Sequence, residues 1–214
     1  MSVVASILSA VIEIHSLIPD SILFGSLFLY FLTHNLSFGI FGLFLMELVL
    51  SHRFLSWVIT QTVGPSRSSA SVSCRAGYKT PRYQYERIFS HEAYPSYSVF
   101  SVTAMASYLG LSTRHFQTTM EQMGKEWVGR STVAYVFIGL FIAAFLLARM
   151  YACSETVNEI LLAFVLALIV GALFFALHVT VFGPESVNFL GLPYLIEKNK
   201  EGEPIYVCSP NQPL

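Results

Sequence analysis

The amino-acid sequence predicts an all-α protein, a polytopic transmembrane bundle of about five to six helices. Of its 214 residues, 54% are hydrophobic and 12% are charged, whereas a soluble domain usually carries about 25% charged residues. The mean hydropathy is +0.61. The charges are also spaced so that several uncharged stretches approach the roughly 20 residues that cross a bilayer. These observations exclude a disordered chain and argue against an ordinary soluble enzyme.

The N-terminal part is predicted to contain two or three of these helices. Residues 2–18 are mildly apolar and indicate an interfacial or partly buried helix. The Pro-Asp-Ser sequence at residues 19–21 is expected to end that helix and cap the next one. Residues 22–46 carry no formal charge, enough for one span. The His-Asn pair at residues 34–35 lies mid-way, so the pattern allows one kinked span or two helices, the second running to Thr60.

A long extramembrane loop is predicted for residues 61–95. It contains a Gly-Pro-Ser sequence, a serine-rich stretch and many of the basic residues. Six of the twelve Lys and Arg residues lie between Arg53 and Arg87. A solvated cytoplasmic loop of the positive-inside type is one interpretation of this stretch.

The second half of the chain alternates apolar and polar stretches. Residues 97–111 are apolar and rich in small side chains, which allow helices to approach closely in lipid. Residues 113–130 are predicted to form a second polar loop, on the opposite side. Residues 131–147 and 160–182 are clear spans, and residues 149–159 are a short polar connection between them.

The chain is predicted to divide into a membrane helical domain, residues 1–182, and an irregular, proline-rich tail, residues 183–214. Its net charge of −1 gives no basic field for nucleic acid. The expected partners are membrane lipids and other membrane protein subunits. No cofactor or metal site is predicted, because neither zinc-site spacing nor a disulfide framework is visible among the three cysteines, Cys74, Cys153 and Cys208.

Charged residues flank the connection between the last two spans. Arg149 closes one helix, and Glu155 and Glu159 open the next. Basic residues at a helix C-terminus and acidic residues at an N-terminus complement the helix dipole, so a purely structural role is sufficient for this pattern.

A second cluster of polar residues precedes the third apolar stretch. Pro95 and Ser96 stand at its start, where free backbone N–H groups suit either a helix cap or an anion. Upstream, Arg75 and Arg82 have six residues between them. Basic residues near a helix start are a typical arrangement for phosphate recognition.

These motifs resemble the three signatures of the type 2 phosphatidic acid phosphatase superfamily of membrane lipid phosphatases. Residues 75–83 (Arg-x6-Arg-Tyr) are similar to the family's Lys-x6-Arg-Pro, and residues 95–98 (Pro-Ser-Tyr-Ser) to its Pro-Ser-Gly-His. Residues 148–159 (Ala-Arg-x5-Glu-x3-Glu) are similar to its Ser-Arg-x5-His-x3-Asp, with Tyr151 in the family's common position. The order of motifs and spans agrees over residues 75–182.

The resemblance implies the family's fold but argues against its reaction. The family's nucleophilic histidine, the aspartate that orients it and the histidine that protonates the leaving group correspond here to Glu155, Glu159 and Ser98. Serine cannot titrate to supply acid–base catalysis, and two carboxylates repel an incoming phosphate. The residues that the resemblance implies for phosphate or lipid binding are Arg75, Arg82, Ser96, Tyr97 and Arg149.

Three arrangements of this site are therefore open: arginines paired with the glutamates, a retained phosphate or lipid-headgroup site, or catalysis with a substitute such as His91. The function expected from them is a non-catalytic structural or accessory subunit of a membrane complex. The first alternative is an active lipid phosphatase with altered residues. The second is a transporter or channel component using the ionisable groups of the apolar stretches, Glu13, His15, His34, Glu47 and His178. A mitochondrial inner membrane or an endomembrane is compatible with each.

Overall fold

The structure is a computed structural model that describes residues 3–64, 78–80, 83–88, 94–189, 195–198 and 204–206. This part of the chain contains six α-helices, which in chain order are α1 Val3–Thr33, α2 Leu36–Val63, α3 Tyr97–His115, α4 Gln117–Met123, α5 Lys125–Cys153 and α6 Val157–Phe182. A 3₁₀ turn, Pro184–Val187, follows α6. The remaining elements are two short antiparallel hairpins, β1 Tyr78–Thr80 with β2 Tyr83–Ile88 and β3 Leu195–Lys198 with β4 Pro204–Tyr206.

The predicted helical bundle is confirmed at this level of detail. Three helices, α2, α5 and α6, are long and apolar enough to span a membrane, and α1 contains a shorter apolar segment, Leu17–Thr33. The hairpins were not predicted. They lie within the predicted loop and tail, outside the helices.

The predicted break at residues 19–21 is wrong, because α1 continues through Pro19 to Thr33. A proline inside a helix removes one backbone hydrogen bond and costs about 3 kcal/mol. Pro19 and Asp20 are both buried, so their packing against the bundle offsets part of this cost.

The two-helix alternative for the following segment is the one observed. α1 ends at a turn in which His34 takes a left-handed conformation, with φ 51°. Asn35 then caps α2, since its side-chain oxygen accepts a hydrogen bond from the Ser37 backbone N–H at 2.9 Å. The second helix runs to Val63, three residues beyond the predicted end.

The prediction of a polar loop over residues 113–130 is also wrong. α3 continues to His115, α4 follows almost at once, and α5 begins at Lys125 after a break at Gly124, whose φ is 125°. Likewise, the connection predicted for residues 149–159 shrinks to residues 154–156. Lys, Glu and Gln are good helix formers, so the polarity of these segments indicated exposure to water rather than loss of helix.

The core of the bundle forms around α3, which packs most extensively against α6 and also contacts α1, α2 and α5. Phe44, Phe100 and Tyr108 are fully buried there. The backbones of α3 and α6 approach closely at Gly171. A Cβ atom on this glycine would lie 2.7 Å from the Ala104 carbonyl oxygen and 3.0 Å from the Ser107 Cβ. Only glycine therefore fits at this crossing.

We expect Gly171→Ala to destabilise the fold by about 1–3 kcal/mol, the usual cost of an overpacked contact. Gly139→Ala on α5 is a matched control, because nothing lies within 4 Å of its added Cβ. Thermal unfolding in detergent measures both. Equal melting temperatures for the two variants would contradict the close α3–α6 packing.

Candidate functional site

Three residues of the phosphatase-like motifs meet at one end of the bundle. Ser96, at the start of α3, donates a hydrogen bond from its Oγ to Glu155 Oε1 at 2.8 Å. Arg149, near the C-terminal end of α5, donates from Nη2 to the same carboxylate oxygen. The arrangement observed for Arg149 and Glu155 is therefore the predicted pairing of arginine with glutamate.

The turn between α5 and α6 brings these two side chains together. Ser154 adopts a left-handed conformation, with φ 58°, and donates its backbone N–H to the Arg149 carbonyl oxygen. The Glu155 N–H points to the same carbonyl at 3.5 Å. A left-handed residue after the last helical turn is a common helix end, and here it folds Glu155 back over Arg149.

Cys153, the last residue of α5, is disulfide-bonded. The spacing of the three cysteines showed no disulfide framework and did not reveal this bond, since separation along the sequence does not report distance in the fold. The other two cysteines, Cys74 and Cys208, lie outside the described residues. The bond restrains the chain two residues before Glu155.

The start of α3 is held by α2 rather than by its own cap. Ser96 occupies the cap position but makes no capping hydrogen bond, because its hydroxyl is directed to Glu155. Instead, His52 Nε2 donates to the Pro95 carbonyl at 2.7 Å, and Ser56 Oγ donates to the Tyr94 carbonyl at 2.8 Å. Sequence reasoning assigned neither His52 nor Ser56 to the site.

Glu159 has a separate role at the start of α6. Its Oε2 accepts hydrogen bonds from the backbone N–H and the hydroxyl of Thr156, both at 2.8 Å. The Thr156 hydroxyl in turn accepts from the Glu159 N–H, which completes a capping box. Glu159 thus helps to begin the helix, in line with the dipole-based interpretation of the motif.

The Arg149–Glu155 pair is almost completely removed from solvent, with side chains 3% and 1% exposed. Removing such ions from water costs several kcal/mol each, and their attraction repays this cost only when the remaining polar atoms are also bonded. Ser96 and Arg149 both donate to Oε1 of Glu155. Among the described residues, none donates a hydrogen bond to the buried Oε2 of Glu155.

Not all of the predicted site residues join this cluster. Tyr97 and Ser98 are buried in the first turn of α3, and the Tyr97 ring meets the His52 ring edge-on, with centroids 5.0 Å apart. Arg75, Arg82 and His91 lie outside the described residues. Within the part of the chain that is described, no three His, Cys, Asp or Glu side chains are grouped to hold a metal ion.

Two of the ionisable groups predicted for the apolar stretches meet elsewhere in the bundle. His178 Nε2 lies 3.0 Å from Glu47 Oε2. The Tyr108 hydroxyl lies 2.9 Å from His178 Nδ1, and sequence reasoning did not identify this tyrosine. His34 is exposed in the turn after α1, Glu13 is half-buried, and the side chain of His15 lies outside the described part. Of the described groups, Glu47 and His178 are thus in contact with each other, and His34 lies at the surface.

Comparisons of the chain with protein-family models, curated proteins and solved structures find no match. The resemblance to the lipid phosphatases stays a prediction from the motifs.

Chemically, the cluster has the hydrogen-bond donors of an anion site, and the carboxylate of Glu155 already accepts from them. Arg149 and Ser96 are donors of the kind that bind phosphate oxygens, and both are bonded to the carboxylate of Glu155. The Ser96 hydroxyl donates to this carboxylate, and among the described residues no imidazole contacts that hydroxyl. The three side chains therefore link the start of α3, the end of α5 and the turn before α6.

We expect Arg149→Ala to destabilise the fold by about 3–5 kcal/mol, because it leaves a buried carboxylate unpaired. The double variant Arg149→Ala/Glu155→Ala should be less destabilised than the sum of the two single variants. Chemical unfolding in detergent measures the cycle, with the exposed Glu126→Ala as a control expected within about 0.5 kcal/mol of the wild type. Strict additivity would contradict direct coupling of the two side chains.

Proposed function

We propose that this chain is a multi-pass integral membrane protein with a phosphatase-like arrangement of helices that does not release phosphate. In this proposal it acts as a structural or accessory subunit of a membrane complex. Three helices of sufficient length and apolarity support the membrane assignment. The site supports the absence of catalysis, and the exposed surface of α5 supports the subunit role.

The carboxylate of Glu155 is the observation that carries the non-catalytic assignment. It stands at the position of the motif where the phosphatases have their nucleophilic histidine. It accepts hydrogen bonds from Ser96 and Arg149, two of the predicted phosphate-binding residues. A phosphate group would compete with it for the same donors and would be repelled by its charge. The protein's own side chain thus takes the place of a substrate anion.

Among the residues that the structure describes, the site offers no replacement for the missing acid and base. Ser98, at the position of the second histidine, does not titrate near neutral pH. His52, the histidine seated beside the start of α3, uses Nε2 to hold the Pro95 carbonyl. Acid–base catalysis contributes about 10²–10⁴-fold to the rate of a reaction. The lack of an acid–base histidine therefore lowers the expected rate further, in addition to the lack of the nucleophile.

The subunit role is supported by the exposed surface of α5. In the most apolar stretch of α5 only 6% of the residues are buried, whereas 39% are buried in the corresponding stretch of α2. Gly139 and Ala143 are both exposed on α5 and are spaced four residues apart. Small residues at this spacing allow another helix to approach closely in lipid. A helix of another subunit would therefore find a packing surface on α5.

The phosphate-release assay tests the non-catalytic assignment. Purified wild type is expected to release no phosphate from phosphatidate or from a diphosphate lipid above the level of Arg149→Ala. Ser96→Ala provides a second, milder variant in case Arg149→Ala does not fold. Release by the wild type that falls in either folded variant would overturn the proposal and favour the alternative of an active lipid phosphatase.

Native electrophoresis of mildly solubilised membranes tests the subunit role. The wild type is expected to migrate in a complex larger than the 23.9 kDa chain. Gly139→Leu should release it by blocking close approach to α5, while Phe137→Leu, an apolar change at an exposed position on the other side of that helix, should not. Migration of the wild type as a free monomer would refute the subunit role.

A further inference from the structure

A second polar cluster joins three helices well away from the Arg149–Glu155 pair. Tyr108 of α3 lies with its hydroxyl 2.9 Å from His178 Nδ1, and His178 Nε2 lies 3.0 Å from Glu47 Oε2 on α2. On α6, His178 is 19 positions beyond Glu159, which is about 28 Å along the helix axis. We call Tyr108, His178 and Glu47 the triad.

The surroundings of the triad are apolar and aromatic. The rings of Phe44, Phe174 and Phe182 lie with centroids 6.4, 6.2 and 5.8 Å from that of His178. The Tyr108 ring stacks on Phe44 at 4.2 Å. The triad therefore lies in a medium that penalises unbalanced charge.

The charge of the triad depends on one proton. With Glu47 ionised, His178 donates its Nε2–H to the carboxylate and accepts the Tyr108 hydroxyl at Nδ1. This state has a net charge of −1. One added proton, on either His178 or Glu47, makes the triad neutral overall. This one proton therefore decides whether the triad carries a net charge in its apolar surroundings.

Burial differs along the triad. The Glu47 side chain is 24% exposed and that of His178 1%, while Tyr108 is 0% exposed. The hydrogen-bonded chain thus begins at Glu47, at the surface of α2, and ends at Tyr108 in the core. Because it ends in the core, this geometry suits a binding site rather than a conducting path.

No other charged side chain contacts His178 among the described residues. α2 presents Glu47 to it and α3 presents Tyr108. The turn after α6 presents Ser186, whose hydroxyl lies 3.4 Å from the His178 carbonyl, while Glu185 of that turn is exposed.

We propose that Glu47 and His178 form a proton-binding site that holds one exchangeable proton between them, with Tyr108 as a positioning residue. Because the triad joins α2, α3 and α6, loading of this site is coupled to the packing of three helices. This inference is independent of the proposed subunit role and of the Arg149–Glu155 pair.

Nuclear magnetic resonance of ¹⁵N-histidine-labelled protein, with infrared detection of the Glu47 carboxyl, tests the site. Within the range of about pH 5–9 around the ordinary pKa of histidine, the wild type should gain or lose one proton, on the His178 ring or on Glu47, as a single event. In Glu47→Gln the His178 ring should be neutral at neutral pH. In His178→Gln the carboxyl signal should change, while His115→Gln, an exposed histidine on α3, should alter neither group.

Tyr108→Phe keeps both titrating groups and tests the positioning role even if the other variants do not fold. It should retain the proton but lose the single His178 tautomer that the Tyr108 hydroxyl selects. Separate protonation of His178 and Glu47 in two events would overturn the proposal. So would a triad whose protonation does not change anywhere in that pH range.

Discussion

The burial of the Glu155 carboxylate against Arg149 is the constraint on which the rest of the candidate site depends. An ion this deep in the bundle must be bonded or the fold is lost, so the helix ends are placed to supply the bonds. Arg149 comes from the end of α5 and Ser96 from the start of α3. The left-handed Ser154 and the disulfide at Cys153 shape the turn that delivers Glu155. The same carboxylate that holds these helices together also fills the position of a phosphate.

Two acidic residues of the bundle are paired in different ways, and the difference separates structure from a capacity to respond. Glu155 is paired with arginine, which stays charged at all physiological pH values, so that pair is permanent. Glu47 is paired with histidine, the residue type whose ordinary pKa lies nearest the physiological range. The first pair therefore stabilises one end of the fold under all conditions, and the second is the pair that we propose holds an exchangeable proton.

Sequence patterns predicted the features that depend on neighbouring residues. The apolar runs of α5 and α6, and the acidic start of α6 at Glu159, follow from local composition and helix-end chemistry. The continuation of α1 through Pro19 was missed because it depends on tertiary packing. The contact between Glu47 and His178 joins residues 131 positions apart, and the disulfide at Cys153 likewise depends on the fold, so no local pattern could reveal either.

Binding of inorganic phosphate or vanadate, measured by titration calorimetry on the wild type and on Glu155→Ala, tests most directly whether Glu155 replaces the anion. The wild type should not bind at millimolar concentrations, whereas Glu155→Ala should bind, because Arg149 and Ser96 are then released. Binding by the wild type with the affinity of the variant would contradict the occupation of this site by Glu155. Equal absence of binding to the wild type and to a folded Glu155→Ala variant would show that Glu155 is not what excludes the anion, and would contradict the account.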